Sequence, residues 1–74
     1  MVEEYFVVVV TIVDYGFHGG TSTIEKASYH KFYEYPTKNI IKTEMERWDM
    51  VIDGRRAMKP LHARVEKRYS YKGE

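Results

Sequence analysis

The sequence predicts an α+β domain: a small three-stranded antiparallel sheet in the order β-β-α-β, with one amphipathic helix packed on one face. Three stretches carry that expectation. Residues 5–13, Tyr-Phe-Val-Val-Val-Val-Thr-Ile-Val, are all β-branched or aromatic, the side-chain shapes that pack best on a pleated sheet. Ile41, Met45, Trp48 and Ile52 recur at i, i+4, i+7 and i+11, the apolar face of a helix. From Leu61 to Tyr71 apolar and polar residues alternate, as on a strand with one wet face. The 74 residues are expected to make a single domain, 1–74.

The first strand runs from about Glu4 to Asp14, and both of its faces are apolar. One face carries Phe6, Val8, Val10 and Ile12, and it is the more uniform of the two and the expected inward face. The other carries Tyr5, Val7, Val9 and Val13 with Thr11 between them. A chain this short has little to lay over that second face, so it is expected to remain open to a partner.

Tyr15-Gly16-Phe17-His18-Gly19-Gly20 reads as a hairpin loop, since glycine supplies the positive φ that tight reversals need. It is no phosphate loop, because neither the Lys-Ser/Thr of a Walker motif nor dinucleotide-type glycine spacing is present. Residues 21–35 favour strand through Thr21, Thr23, Ile24, Tyr29, Phe32, Tyr33 and Tyr35. Ser22-Thr23-Ile24-Glu25 also matches a helix capping box, but the apolar stripe such a helix would present is poor, and strand is the reading adopted.

Pro36 punctuates the chain, and Thr37 or Asn39 can cap the helix expected over 38–53. Lys42–Glu46 and Glu44–Arg47 stand at pairing distance on its outer arc, and Gly54 suits the C-terminal cap. A hairpin turn at Asp53-Gly54 is the competing possibility, but 44–52 lacks the alternation it needs. Trp48 is expected to be largely buried against the first strand. Arg55–Pro60 reads as a basic connector. The third strand then points Leu61, Ala63, Val65, Tyr69 and Tyr71 one way, broken by Lys67, and His62, Arg64, Glu66, Arg68, Ser70 and Lys72 the other.

Composition limits the function. There is no cysteine, which removes disulfides, a thiol nucleophile and zinc knuckles, and fits a reducing, cytoplasmic setting. Glu3 and Glu4 stand where a secretion signal needs positive charge, and the apolar run is too short for a membrane helix. His18, His30 and His62 lie 12 and 32 residues apart, without metal-ligand spacing. Asp49 and Asp53 are better explained as a solvated helix end than as a cation site. Neither a nucleophile with its base nor a pair of carboxylates assembles, so the chain is not expected to be an enzyme, to carry a cofactor or metal, or to take a small-molecule substrate.

Two features point to macromolecular partners. Seven tyrosines are unusual for this length, and tyrosine offers a large rigid contact area with a hydroxyl that tolerates wetting. With the second face of the first strand, they suggest a non-enzymatic protein-binding module that contacts another protein through Tyr5, Val7, Val9, Tyr33 and Tyr35, and that self-associates as a homo-oligomer.

The alternative is nucleic-acid binding. The net charge of +1 hides an acidic first half, balance −3 over 1–37, and a basic second half, balance +4 over 38–74. Arg55, Arg56, Arg64, Arg68 and Lys72 could meet phosphates while Tyr69 or Tyr71 stacks on bases. A charged, solvated sheet face explains the same residues more plainly. No RRM, KH or OB-fold pattern is present. In size and in its lack of cysteine and catalytic groups, the chain resembles the small accessory or inhibitor proteins that bacteriophages encode. That likeness is one of type and implies no particular site residue.

Overall fold

A computed structural model describes residues 2–16 and 20–71. The chain is α+β, with an antiparallel sheet and one helix. The sheet has four strands where three are expected from the sequence: β1 (Val2–Asp14), β2 (Ser22–Ala27), β3 (Met50–Ile52) and β4 (Arg55–Tyr71). Helix α1 is Lys38–Glu46, and the spatial order of strands is β2-β1-β4-β3.

β1 is the centre of this arrangement. It pairs with β2 from Val9↔Ala27 to Asp14↔Ser22, and with β4 along its whole length from Val2↔Tyr71 to Asp14↔Met58. Beyond β2 the chain stays on the same edge of β1: Ser28 N donates to Val8 O, and Phe6 and Phe32 exchange both backbone bonds. The strand expected over 21–35 is thus realised only as Ser22–Ala27 plus this one bridge. In the 15–20 loop, Gly16 has φ 64° and its N–H donates to Asp14 Oδ1, a local turn that glycine accommodates. Phe17, His18 and Gly19 of that loop lie outside the described residues, as does Lys72.

The helix is shorter than its apolar spacing suggests. Thr37 caps it by accepting from Ile40 N, as expected, and Glu44 pairs with Arg47 at 3.2 Å. It ends when the Trp48 N–H turns to Met45 O, a tighter bond that closes the last turn. The expectation of helix to residue 53 fails at Asp53-Gly54. Both residues have positive φ, 52° and 74°, the backbone of a two-residue type I′ hairpin turn. That turn pairs Ile52 with Arg55 and draws Met50-Val51-Ile52 into an edge strand. Gly54 is therefore a turn residue and not the helix cap, and Arg55–Pro60 is strand and not connector. The missing alternation in 44–52 misled because β3 has only three residues, all exposed, too few for a pattern.

The core lies between α1 and the sheet. Val8, Val10 and Ile12 are fully buried, and Ile24, Phe32, Ile41, Met45, Trp48, Met58 and Ala63 pack around them. This is the inward face expected for the first strand. Trp48 belongs to the cluster but is only half-buried, because it follows the helix cap and does not ride on its inner stripe. A β-bulge interrupts the β1–β4 ladder: Thr11 faces His62 and Ile12 faces Pro60, leaving Leu61 without an opposite residue. With extents of 47 × 27 × 17 Å and a radius of gyration of 14.8 Å, against roughly 11 Å for a compact domain of this length, the molecule is a slab. No described helix is long and apolar enough to cross a membrane.

Candidate protein-binding surface

Residues paired across β1 and β4 share a face, so the register assigns every side chain of the two central strands. On the face away from α1, β1 presents Glu3, Tyr5, Val7, Val9 and Thr11, opposite Ser70, Arg68, Glu66, Arg64 and His62. The openness expected of this face is not observed. Val7 and Val9 retain only 4% and 3% of their exposure. The cover comes from neighbouring charged side chains rather than from a second layer of secondary structure. Arg64 Nη1 donates to Glu25 Oε2 at 2.5 Å, reaching across β1 from β4 to β2. Its Nη2 donates to Glu66 Oε2 at 2.7 Å, and Arg68 Nη2 donates to Glu66 Oε1 at 3.1 Å. Arg64 and Glu66 are the cross-strand neighbours of Val9 and Val7, which places their stems to shield the valines while their heads stay wet. Hydrogen bonds from Arg64, and for Glu66 also from Arg68, hold both carboxyls below the usual carboxylate range.

Tyr5 and Tyr33 lie at the far end of that face, around Glu3. Glu3 accepts from Lys31 Nζ at 3.0 Å, Tyr33 Oη at 3.2 Å and Ser70 Oγ at 3.2 Å. Lys31 stands 4.8 Å over the Tyr5 ring. The bond to Glu3 raises the Lys31 pKa above its usual value. Tyr35 is on the opposite side of the sheet, edge-on to Phe6 with ring centroids 5.5 Å apart. The five residues expected to form one contact are therefore divided among three places: two under a charged layer, two around Glu3, and one on the helix side.

The basic segment is divided in a similar way. Arg64 and Arg68 lie in the ion network, whereas Tyr69 and Tyr71 project to the helix side of the same strand. Arg56 pairs with Asp49 at the far end of β4, and Arg55 sits beside the hairpin turn. Alternation along a strand sends arginines and tyrosines to opposite faces. They do not form one stacked, basic groove.

What the fold does bring together is an aromatic ledge. A nine-residue helix is roughly 14 Å long, whereas the 13 residues of β1 extend for roughly 44 Å. The helix covers Val8, Val10 and Ile12 and leaves the start of β1 bare on that side. There Val2 faces Tyr71, Glu4 faces Tyr69 and Phe6 faces Lys67, with Tyr35 against Phe6. Tyr71, Tyr35, Tyr69 and Val2 are 83, 67, 58 and 49% exposed, making one contiguous patch. Lys67 Nζ stands about 6 Å from the rings of both Phe6 and Tyr69 and pairs with Glu4 at 3.5 Å. The sequence places Phe6 on the inward face and Lys67 only as a break in alternation, and it marks neither of them, nor Val2, as a contact residue. The signal that could have found them is the mismatch between helix and strand lengths.

A concavity of about 870 Å³ opens at the other end of the slab, lined by residues that include Tyr15, Met50, Ile52, Arg55 and Met58. Among the described residues, no three His, Cys, Asp or Glu side chains are grouped to hold a metal ion. No protein-family model matches the chain, and no curated protein or solved structure matches it either.

Proposed function

We propose that the chain is a small non-enzymatic binding module, an accessory or inhibitory protein that acts by occupying another protein's surface and that also self-associates. The contact is the ledge of Phe6, Tyr35, Tyr69, Tyr71 and Val2. One observation carries this reading: Val2, Tyr35, Tyr69 and Tyr71 form a contiguous exposed patch around half-buried Phe6 that the single helix is too short to cover. Rigid aromatic side chains concentrate binding energy in this way, commonly about 2 kcal/mol or more for each central ring. Lys67 and Glu4 supply a charged rim.

The test is affinity capture from the native host, comparing the unaltered chain with a Tyr69→Ala/Tyr71→Ala variant. Recovery of one stoichiometric protein with the first and its loss with the second supports the ledge. Equal recovery with both places the contact elsewhere. Nucleic-acid binding through 55–72 has weaker support, because Arg56, Arg64 and Arg68 are engaged by Asp49, Glu25 and Glu66. A gel shift at about 50 mM salt that weakened steeply as salt rose would revive it.

A further inference from the structure

β4 is flanked by β3 only over Arg55–Met58, and among the described residues no strand lies beside its outer edge from Lys59 to Tyr71. The backbone bonds fix what that edge offers. Phe6 and Val8 direct their backbone groups towards the 28–32 segment. By the alternation of antiparallel ladders, Val7, Val9 and their partners Glu66 and Arg64 bond to each other. Ala63, Val65, Lys67 and Tyr69 consequently turn their N–H and C=O groups outward. Pro60 and the bulge at Leu61 protect one end of this edge from further pairing, but from Ala63 to Tyr71 it is regular strand.

We infer that this edge pairs antiparallel with the same edge of a second copy, about a two-fold axis at Val65, joining two four-stranded sheets into one. The inference rests on the self-associating part of the function proposed above and names its partner and register. Three observations select the register. Outward-facing backbone groups meet only when odd positions oppose odd positions. The unpaired edge, 59–71, has Val65 at its midpoint. Charge then separates the neighbouring alternatives. An axis at Glu66 would set Glu66 against its own copy and Arg64 against Arg68, and an axis at Lys67 would oppose two lysines. With the axis at Val65, Arg64 faces Glu66 of the second copy twice over, Ala63 faces Lys67, and exposed Leu61 faces exposed Tyr69. Only His62 opposite Arg68 sets two basic residue types together. Each Glu66 already lies between two arginines, so the second copy's Arg64 extends the network of one sheet into the other.

Sedimentation equilibrium of the full chain at micromolar concentration tests the association, and single cysteines in this cysteine-free chain read the register. The expected mass is twice 8.8 kDa. Ala63→Pro removes one outward N–H per copy and leaves the β1 ladder whole, so it should weaken the dimer by at least about tenfold with an unchanged circular dichroism spectrum. Val65→Cys should cross-link to itself under mild oxidation, whereas Ala63→Cys and Lys67→Cys, which face each other's position, should not. If Ala63→Pro does not fold, the cysteine series decides alone. A monomer at all concentrations, a dimer that fails to cross-link at Val65→Cys, or one that cross-links at Lys67→Cys would overturn the inference. A monomer that still captured a host protein through the ledge would sink this inference and leave the ledge standing. A dimer cross-linked at Val65→Cys that captured nothing would do the reverse.

Discussion

The two faces of β1 bury similar side chains by different means. On one, Val8, Val10 and Ile12 are closed over by Ile41, Met45 and Trp48 from the helical segment. On the other, Val7 and Val9 reach nearly the same burial under Arg64, Glu66 and Glu25, which stay half-wet themselves. A hydrophobic layer stabilises through packing and is felt whenever a methyl group is removed. A charged layer stabilises mainly by excluding water, and its ion pairs are screened by salt. A small chain can thus shield both sides of its central strand with one helix.

Truncation on the helix face should give the largest effect. Ile12→Ala leaves a cavity in the closed core and is expected to cost about 2–5 kcal/mol, read as a lower denaturation midpoint. Val9→Ala, similarly buried but beside half-exposed charged side chains, should cost less, about 1–3 kcal/mol, because those side chains can settle into the space. Equal losses for the same truncation on both faces, Val8→Ala and Val9→Ala, would mean that the two faces do not differ in how they are covered. Thr11 tests the charged side from within. Its Oγ1 is buried and finds no hydrogen-bond partner among the described residues, so Thr11→Val should raise stability by about 1 kcal/mol.

Smaller effects separate stem from charge. Arg64→Met keeps the covering chain and removes the ion pairs, so it should destabilise less than Arg64→Ala, and the difference between Arg64→Met and the unaltered chain should shrink at high salt. Acid should act on this face. Glu25 and Glu66 have carboxyls held below the usual value of 4.5, so their contribution is complete above that pH and is lost as pH falls through the depressed values. Thermal midpoints recorded from neutral pH downwards should decline in that window, and the decline should be blunted in Arg64→Met.

The fold class, the single helix, the inward face of β1 and the two faces of β4 beyond His62 were legible because each rests on a period long enough to count. What escaped depended on short or non-local features. β3 has three residues and is fixed by the left-handed backbone of Asp53-Gly54, a signal outweighed by the accidental helical spacing of Trp48 and Ile52. The cover over Val7 and Val9 required knowing that Glu25 and Arg64, 39 residues apart, straddle the same strand. Tyrosine enrichment drew attention to Tyr35, Tyr69 and Tyr71, all of them exposed. Which of them share a surface depended on the β1–β4 register, and that pairing joins segments too distant for any local pattern to reveal.

That same ladder has a kinetic consequence. Val2 pairs with Tyr71 and Asp14 with Met58, so the central pairing of the sheet closes between segments from opposite ends of the described chain. Loop closure on this scale places folding among the slower small domains, milliseconds to seconds rather than microseconds. During synthesis at about 5–20 residues per second, the valine-rich strand emerges several seconds before 55–71 can join it. Through that interval β2 and the segment up to Phe32 can occupy one of its edges while the β4 edge stays open, and the aggregation hazard of an unpaired apolar strand is borne by the nascent chain.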